Sequence, residues 1–71
     1  MNAELLRRAG FRLRQERVHA GITLGEMAAC IGLTNADIRN IEEGLLSSNV
    51  HALASYANAL CMDADYLFSD T

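Results

Sequence analysis

Two histidines and two cysteines, His19, His51, Cys30 and Cys61, are the side chains best suited to nucleophilic chemistry or metal binding. The histidines fall on different predicted helices, and the cysteines lack both an evident base and the CxxC spacing of a zinc or redox site. The sequence has no glycine-rich phosphate loop, and a helical chain of 71 residues offers little room for a substrate pocket. We therefore expect no enzyme, no metal site and no cofactor, and we interpret the thiols as helix-lining groups.

Charge is distributed unevenly along the chain. Six basic residues against nine acidic ones give a net charge of −3, which disfavours a simple electrostatic nucleic-acid binder. Residues 1–21 carry five arginines and two glutamates, a net +3, whereas residues 22–71 carry one arginine and seven acidic residues, a net −6. The basic surface is therefore expected on the first helix.

Composition predicts an all-α chain in a single domain over residues 1–71. There is no proline, alanine and leucine are abundant, and β-branched and aromatic residues are sparse. Such a small domain is marginally stable alone, so dimerisation is plausible. The longest apolar runs are too short to span a bilayer and no signal pattern opens the chain, which favours a soluble, cytoplasmic protein.

Capping residues and helical periodicity predict five helices. The first runs from Ala3 to about Ala20, the second follows the cap Thr23, and the third covers about 34–43 after the cap Thr34. A fourth runs from about Asn49 to Leu60, and Asp63 caps a short fifth one. The predicted buried stripe of the fourth helix is Val50, Leu53, Ala54, Ala57 and Leu60.

Two short helices joined by a glycine-containing turn meet the requirements of a helix-turn-helix. The residues that bear on a family are Gly10, Arg12, Leu13, Arg14, Arg17, Gly21, Ile22, Thr23, Glu26, Met27, Ala28, Ile31, Gly32, Leu33, Thr34, Ile38, Ile41, Glu42, Gly44, Leu53, Ala57, Ala59, Leu60, Asp65 and Leu67. Over roughly residues 6 to 68 this pattern resembles the lambda-repressor and Cro-like (XRE) helix-turn-helix family. The resemblance implies a compact five-helix lambda-repressor-like DNA-binding domain that regulates transcription, often as a repressor, by binding double-stranded DNA as a homodimer.

The resemblance also implies roles for particular residues. A buried ion pair is expected between Arg17 and Glu42. The third helix becomes the recognition helix, whose base-contact candidates are Thr34, Asn35, Ala36 and Arg39. The start of the second helix binds phosphate in this family, which makes Thr23 a phosphate-contact candidate. The charge distribution adds Arg7 and Arg14, two turns apart on one side of the first helix, as further phosphate-contact candidates. The candidates for the dimer seam are Tyr56, Tyr66, Leu67 and Phe68.

Departures from the family pattern favour an alternative. Where the family carries phosphate-binding, hydroxyl or basic residues, this sequence has Leu24, Asp37, Glu43 and the pair Leu45 and Leu46, each of which removes a phosphate contact or adds a negative charge. Phe11 adds an apolar residue off the core face. These six residues define a possible protein interface of an antirepressor-like or adaptor protein that engages another regulator and binds DNA poorly.

Cys61 stands where the family commonly has glycine. The sequence leaves two alternatives open: either the cap at this position is not left-handed, or a residue with a side chain bears a modest backbone strain.

Overall fold

The computed structural model describes residues 3–45 and 50–68, and this part of the chain contains five α-helices and no strand. The all-α prediction is confirmed. The helices are α1 (Ala3–His19), α2 (Leu24–Ile31), α3 (Asn35–Glu42), α4 (Val50–Ala59) and α5 (Ala64–Leu67). None of these helices is long and apolar enough to cross a membrane.

Capping boxes start the two short central helices. The Thr23 hydroxyl accepts the Glu26 amide at 3.1 Å, and the Glu26 carboxylate accepts the Thr23 amide at 2.8 Å. Thr34 and Asp37 repeat the arrangement at the start of α3, with both distances at 3.1 Å. These reciprocal bonds satisfy backbone amides that the first helical turn leaves without partners, so the start of each helix is fixed locally.

The ends of α1 to α4 share one backbone motif. Each has a residue with positive φ at the end, and the amide of the next residue bonds back five positions, as in Met62 to the Ala57 carbonyl at 2.9 Å. Three of these residues are glycines, and the fourth is Cys61 with φ of 56°. The left-handed cap is therefore present at Cys61, and this residue bears a backbone strain that glycine would avoid.

Close backbone contact fixes α1 against α3. A Cβ atom on Gly10 would lie 2.7 Å from the Glu42 carbonyl oxygen, closer than such atoms approach in proteins. The turn after α3 is equally tight, because a Cβ on Gly44 would lie 2.8 Å from the Cα of Arg7. Only glycine allows this approach, which sets the side of α1 that faces inward.

The core draws side chains from all five helices. The buried apolar residues are Ala9, Leu13, Met27, Ala28, Ile38, Ile41, Ala52, Leu53, Tyr56, Ala57 and Leu67. The predicted stripe of α4 needs a correction, because Ala54 is exposed while Ala52 and Tyr56 are buried. The helix is rotated toward the side that carries Tyr56, whose hydroxyl has a buried hydrogen-bond partner.

Candidate nucleic-acid interface

The candidate interface is the outward side of α3. Residues 32–34 join α2 to α3, and the two helices pack through Met27 and Ala28 on α2 and Ile38 and Ile41 on α3. Helical periodicity places the opposite side of α3 toward solvent. Its exposed residues are Asn35, Ala36, Arg39 and Asn40, and the exposed C-cap residue Glu43 follows them.

Three of the four predicted base-contact residues lie together on this surface. Asn35, Ala36 and Arg39 are exposed, and Arg39 makes no ion pair within residues 3–45 and 50–68. Thr34 lies at the N-cap, where its hydroxyl accepts the Asp37 amide, and the residue is exposed. Asn40 is an exposed residue of this surface that was not among the predicted contacts, although it follows Ala36 by four residues and therefore shares its side of the helix.

A carboxylate lies at the start of α2. Glu26 accepts the backbone amide of Thr23, and this hydrogen bond, followed by that with the Thr23 hydroxyl, lowers the pKa of Glu26 below its ordinary value. Glu26 is therefore ionised at neutral pH. The predicted phosphate contact Thr23 has this negative charge beside it, and its hydroxyl and amide are both engaged in the capping box.

A buried polar cluster holds α1, α3 and α4 together beneath this surface. The Arg17 Nε donates to Glu42 Oε2 at 2.7 Å, and another guanidinium nitrogen donates to the Ile22 carbonyl at 2.8 Å. The Tyr56 hydroxyl donates to the same Glu42 carboxylate. The structure thus brings Arg17 and Glu42 together, and it adds Tyr56 as a third member.

Burial and hydrogen bonding shift the acid–base properties of this cluster. The hydrogen bond with Glu42 raises the pKa of Arg17, while burial, and next the hydrogen bond with Glu42, raises the pKa of Tyr56 well above its ordinary value. Every polar side-chain atom that is fully buried in the described residues has a hydrogen-bond partner. The cluster is therefore a satisfied structural network that fixes how α3 is presented.

Two predicted dimer contacts need a correction. Tyr56 is 0% exposed and Leu67 is 2% exposed, since both side chains belong to the core of the single chain. Tyr66 is half exposed, and the Arg12 guanidinium lies 5.4 Å from its ring centroid. Phe68 is partly buried against the core. Tyr66 and Phe68 therefore remain as dimer candidates.

The proposed protein interface is only partly exposed. Leu24 is half buried and packs against the core, and the carboxylate of Asp37 accepts the Thr34 amide, so neither extends freely into solvent. Glu43 is exposed, and Leu45 is 64% exposed. Leu46 lies outside the described residues.

The remaining candidates lie on α1. Arg7, Phe11 and Arg14 are all exposed, and the backbone of Arg7 contacts the turn at Gly44 that ends α3. Arg7 therefore lies near the end of α3, whereas Arg14 lies two turns further along α1. Cys30 and Cys61 are exposed free thiols.

Within residues 3–45 and 50–68, no group of three or more His, Cys, Asp or Glu side chains could hold a metal ion. Comparison of the chain with protein-family models, with curated proteins and with solved structures gave no match.

Proposed function

We propose that this chain is a helix-turn-helix protein of the lambda-repressor and Cro-like type, which regulates transcription by binding double-stranded DNA as a homodimer. In this proposal α2, the turn at 32–34 and α3 form the helix-turn-helix, and α3 enters the major groove. The observation that carries the proposal is the outward side of α3, where Asn35, Ala36, Arg39 and Asn40 are exposed. In this proposal the protein has no catalytic role.

The chemistry of this side suits base edges. An asparagine amide can donate to and accept from one adenine, and an arginine can donate twice to guanine or bind a phosphate. Asn35 and Arg39 supply these groups, and the methyl groups of Thr34 and Ala36 suit a thymine methyl. The buried Glu42 fixes α3 from behind, so the outward side chains are presented on a rigid helix.

A two-fold dimer would place two α3 helices about 34 Å apart, which matches successive major grooves on one side of DNA. Tyr66 and Phe68 are the candidates for its seam. Equilibrium sedimentation of the full chain tests this directly, because Tyr66→Asp should shift the dimer toward monomer. An unchanged dimer would place the seam elsewhere.

Binding is tested by fluorescence anisotropy with random and genomic duplexes at about 50 mM and 200 mM salt. We expect micromolar binding at low salt and a steep loss at high salt, because phosphate contacts displace counterions. Asn35→Ala should weaken binding to a selected duplex by about tenfold, the loss of one good base contact. Asn58→Ala is the matched control, because Asn58 is exposed on α4. Absence of binding at low salt would overturn the proposal.

A second function is favoured by a different observation, the acidic and apolar groups that flank the same surface. Glu26 at the start of α2, and Glu43 and Leu45 after α3, oppose a phosphate backbone and suit a basic protein. The alternative proposal is therefore an antirepressor-like or adaptor protein that competes with DNA for another regulator. Glu43→Lys distinguishes the two: it should strengthen DNA binding under the first proposal and weaken binding to a basic DNA-binding domain under the second.

A further inference from the structure

A stripe of alternating arginine and apolar side chains runs along α1. Arg7, Phe11, Arg14 and Val18, here the α1 stripe, follow one another at steps of four, three and four residues, which places them on one side of the helix. All four are exposed, with Phe11 at 54% and Val18 at 55%. Large apolar side chains in this regular spacing on a solvent face are typical of a helix-binding surface.

The fold holds this stripe outward. The other side of α1 is buried through Leu13 and through Gly10, whose backbone meets the α3 backbone at Glu42. Rotating α1 to cover Phe11 would break that contact. The exposure of the stripe is therefore a consequence of how α1 packs.

The charges within the stripe are not neutralised by the described part of the chain. Arg17 binds Glu42, and Arg12 donates to the carbonyl oxygens of Tyr66 and Leu67, whereas Arg7 and Arg14 make no ion pair within residues 3–45 and 50–68. A depression of about 440 Å³ adjoins the stripe near Val18. Its lining residues are Arg14, Gln15, Glu16, Val18 and His19.

Charge and apolar character together select one kind of occupant. DNA phosphates would use the two arginines but leave the Phe11 ring and the Val18 methyl groups unused. A lipid surface requires a broader apolar face than two residues provide. A second copy of the stripe would oppose arginines to arginines. A partner that carries both carboxylates and apolar groups satisfies all four residues.

We infer that the α1 stripe binds an acidic amphipathic helix of another protein. Carboxylates of that helix pair with Arg7 and Arg14, and its apolar side chains cover Phe11 and Val18. The inference goes beyond the proposed function and does not rest on it, since the stripe lies on α1, outside the proposed helix-turn-helix.

The test is a titration of the full chain with a synthetic peptide that repeats leucine and glutamate at heptad spacing. Its control is a peptide of the same composition in scrambled order, which cannot form an apolar face. Calorimetry should show saturable binding of the amphipathic peptide, at least tenfold tighter than the scrambled one. Amide NMR shifts should concentrate on residues 7–18.

Matched variants locate the site. Phe11→Ser and Arg14→Glu should each weaken peptide binding by about tenfold or more. The first variant removes an apolar contact with the peptide, and the second replaces an attractive charge by a repulsive one. Leu45→Ser and Arg39→Glu make the same chemical changes on another surface and should leave peptide binding within about twofold. Circular dichroism verifies that each variant is folded. Phe11→Ser should retain low-salt DNA binding, whereas Arg39→Glu should lose it. The proposed DNA binding and the binding of a peptide to the α1 stripe are therefore tested separately.

Several outcomes would overturn the inference. Equal affinity for the scrambled peptide, or equal losses of affinity in the control variants, would mean that peptide binding depends only on net charge. Binding to phosphatidylserine vesicles that Phe11→Ser abolishes, without peptide binding, would assign the stripe to a membrane. Self-association that Phe11→Ser abolishes, without peptide binding, would assign it to a second copy of the chain.

Discussion

Arg14 and Arg17 lie one turn apart on α1 and have opposite environments. Arg17 is buried, with its guanidinium between the Glu42 carboxylate and the Ile22 carbonyl. Arg14 is exposed beside Phe11 and Val18. The first charge is used to join α1 to α3, and the second is available to a partner.

Two other residue types show the same contrast between the buried junction of α1, α3 and α4 and the outer surface. A Cβ atom on Gly10 would clash with the α3 backbone, whereas a Cβ atom on Gly25 of α2 would meet only the Asn35 side chain, at an ordinary 3.8 Å. Tyr56 is fully buried against Glu42, whereas Tyr66 is half exposed under Arg12. Residue type therefore decides less than the side of the helix on which the residue lies.

Arg17→Met should cause the largest loss of stability. Removing one partner of a buried ion pair leaves Glu42 with an uncompensated charge, which lowers the free energy of unfolding by about 3–5 kcal/mol. Arg14→Met, the matched surface variant, should change it by less than about 0.5 kcal/mol. Urea denaturation followed by circular dichroism measures both. Similar values for the two variants would contradict the difference in environment.

Alanine at the two helical glycines should act in opposite directions. Gly10→Ala places a methyl group against the α3 backbone and should destabilise the fold by about 1–3 kcal/mol through overpacking. Gly25→Ala has its nearest new contact at 3.8 Å, to the Asn35 side chain, and should stabilise α2 by about 0.5–1 kcal/mol. Thermal unfolding of both variants tests the signs. A stable Gly10→Ala protein would mean that α1 and α3 are further apart than described.

Tyr56 should make the stability of the fold depend on pH in alkaline solution. Because the pKa of Tyr56 is raised in the folded chain, unfolding releases its proton once the pH exceeds the ordinary tyrosine value of about 10. Stability is then fully present below that pH and is lost as the pH rises above it. The chain has no lysine, so few other groups titrate in this range.

Tyr56→Phe should be less stable at neutral pH, because Glu42 loses a buried hydrogen bond, yet its stability should fall less steeply above pH about 10. Urea denaturation at a series of alkaline pH values measures the slopes, and identical slopes in the wild-type protein and in Tyr56→Phe would count against the buried position of Tyr56.

The smallest effect concerns two exposed cysteines that differ in backbone conformation. Cys61→Gly should raise the free energy of unfolding by about 0.5–1 kcal/mol, because glycine adopts the left-handed cap without strain. Cys30→Gly, inside α2, should lower it by about 0.3 kcal/mol, because glycine has a poorer helix propensity than cysteine. Melting temperatures in reducing buffer check the opposite signs. A loss of stability in both variants would show that the Cys61 side chain contributes more than its backbone strain.

Local signals in the sequence were sufficient to predict the helices. Thr23 and Thr34 each precede an acidic residue by three positions, and both pairs form the capping boxes that this spacing predicts. A capping box depends on a few consecutive residues, so no distant contact is needed to anticipate it. Asn35, Ala36 and Arg39 could be grouped on one surface for the same reason.

Contacts between helices could not be anticipated in the same way. The periodicity of α4 allowed either Ala54 or Tyr56 to face inward, and the prediction placed Ala54 there and Tyr56 at a dimer seam. The choice depends on Glu42, fourteen residues earlier in the chain, whose carboxylate accepts the Tyr56 hydroxyl. A polar partner at that separation outweighs the preference for an all-apolar stripe.

The sequence by itself determined where most of the helices begin and end, because caps and left-handed turns are local properties of consecutive residues. Tertiary structure decided how the helices are turned, since that depends on backbone approach at Gly10 and on the buried bonds among Arg17, Glu42 and Tyr56. That orientation buries Arg17, leaves Arg14 in solvent and exposes the outward side of α3. The groups available for a partner follow from packing that no single segment encodes.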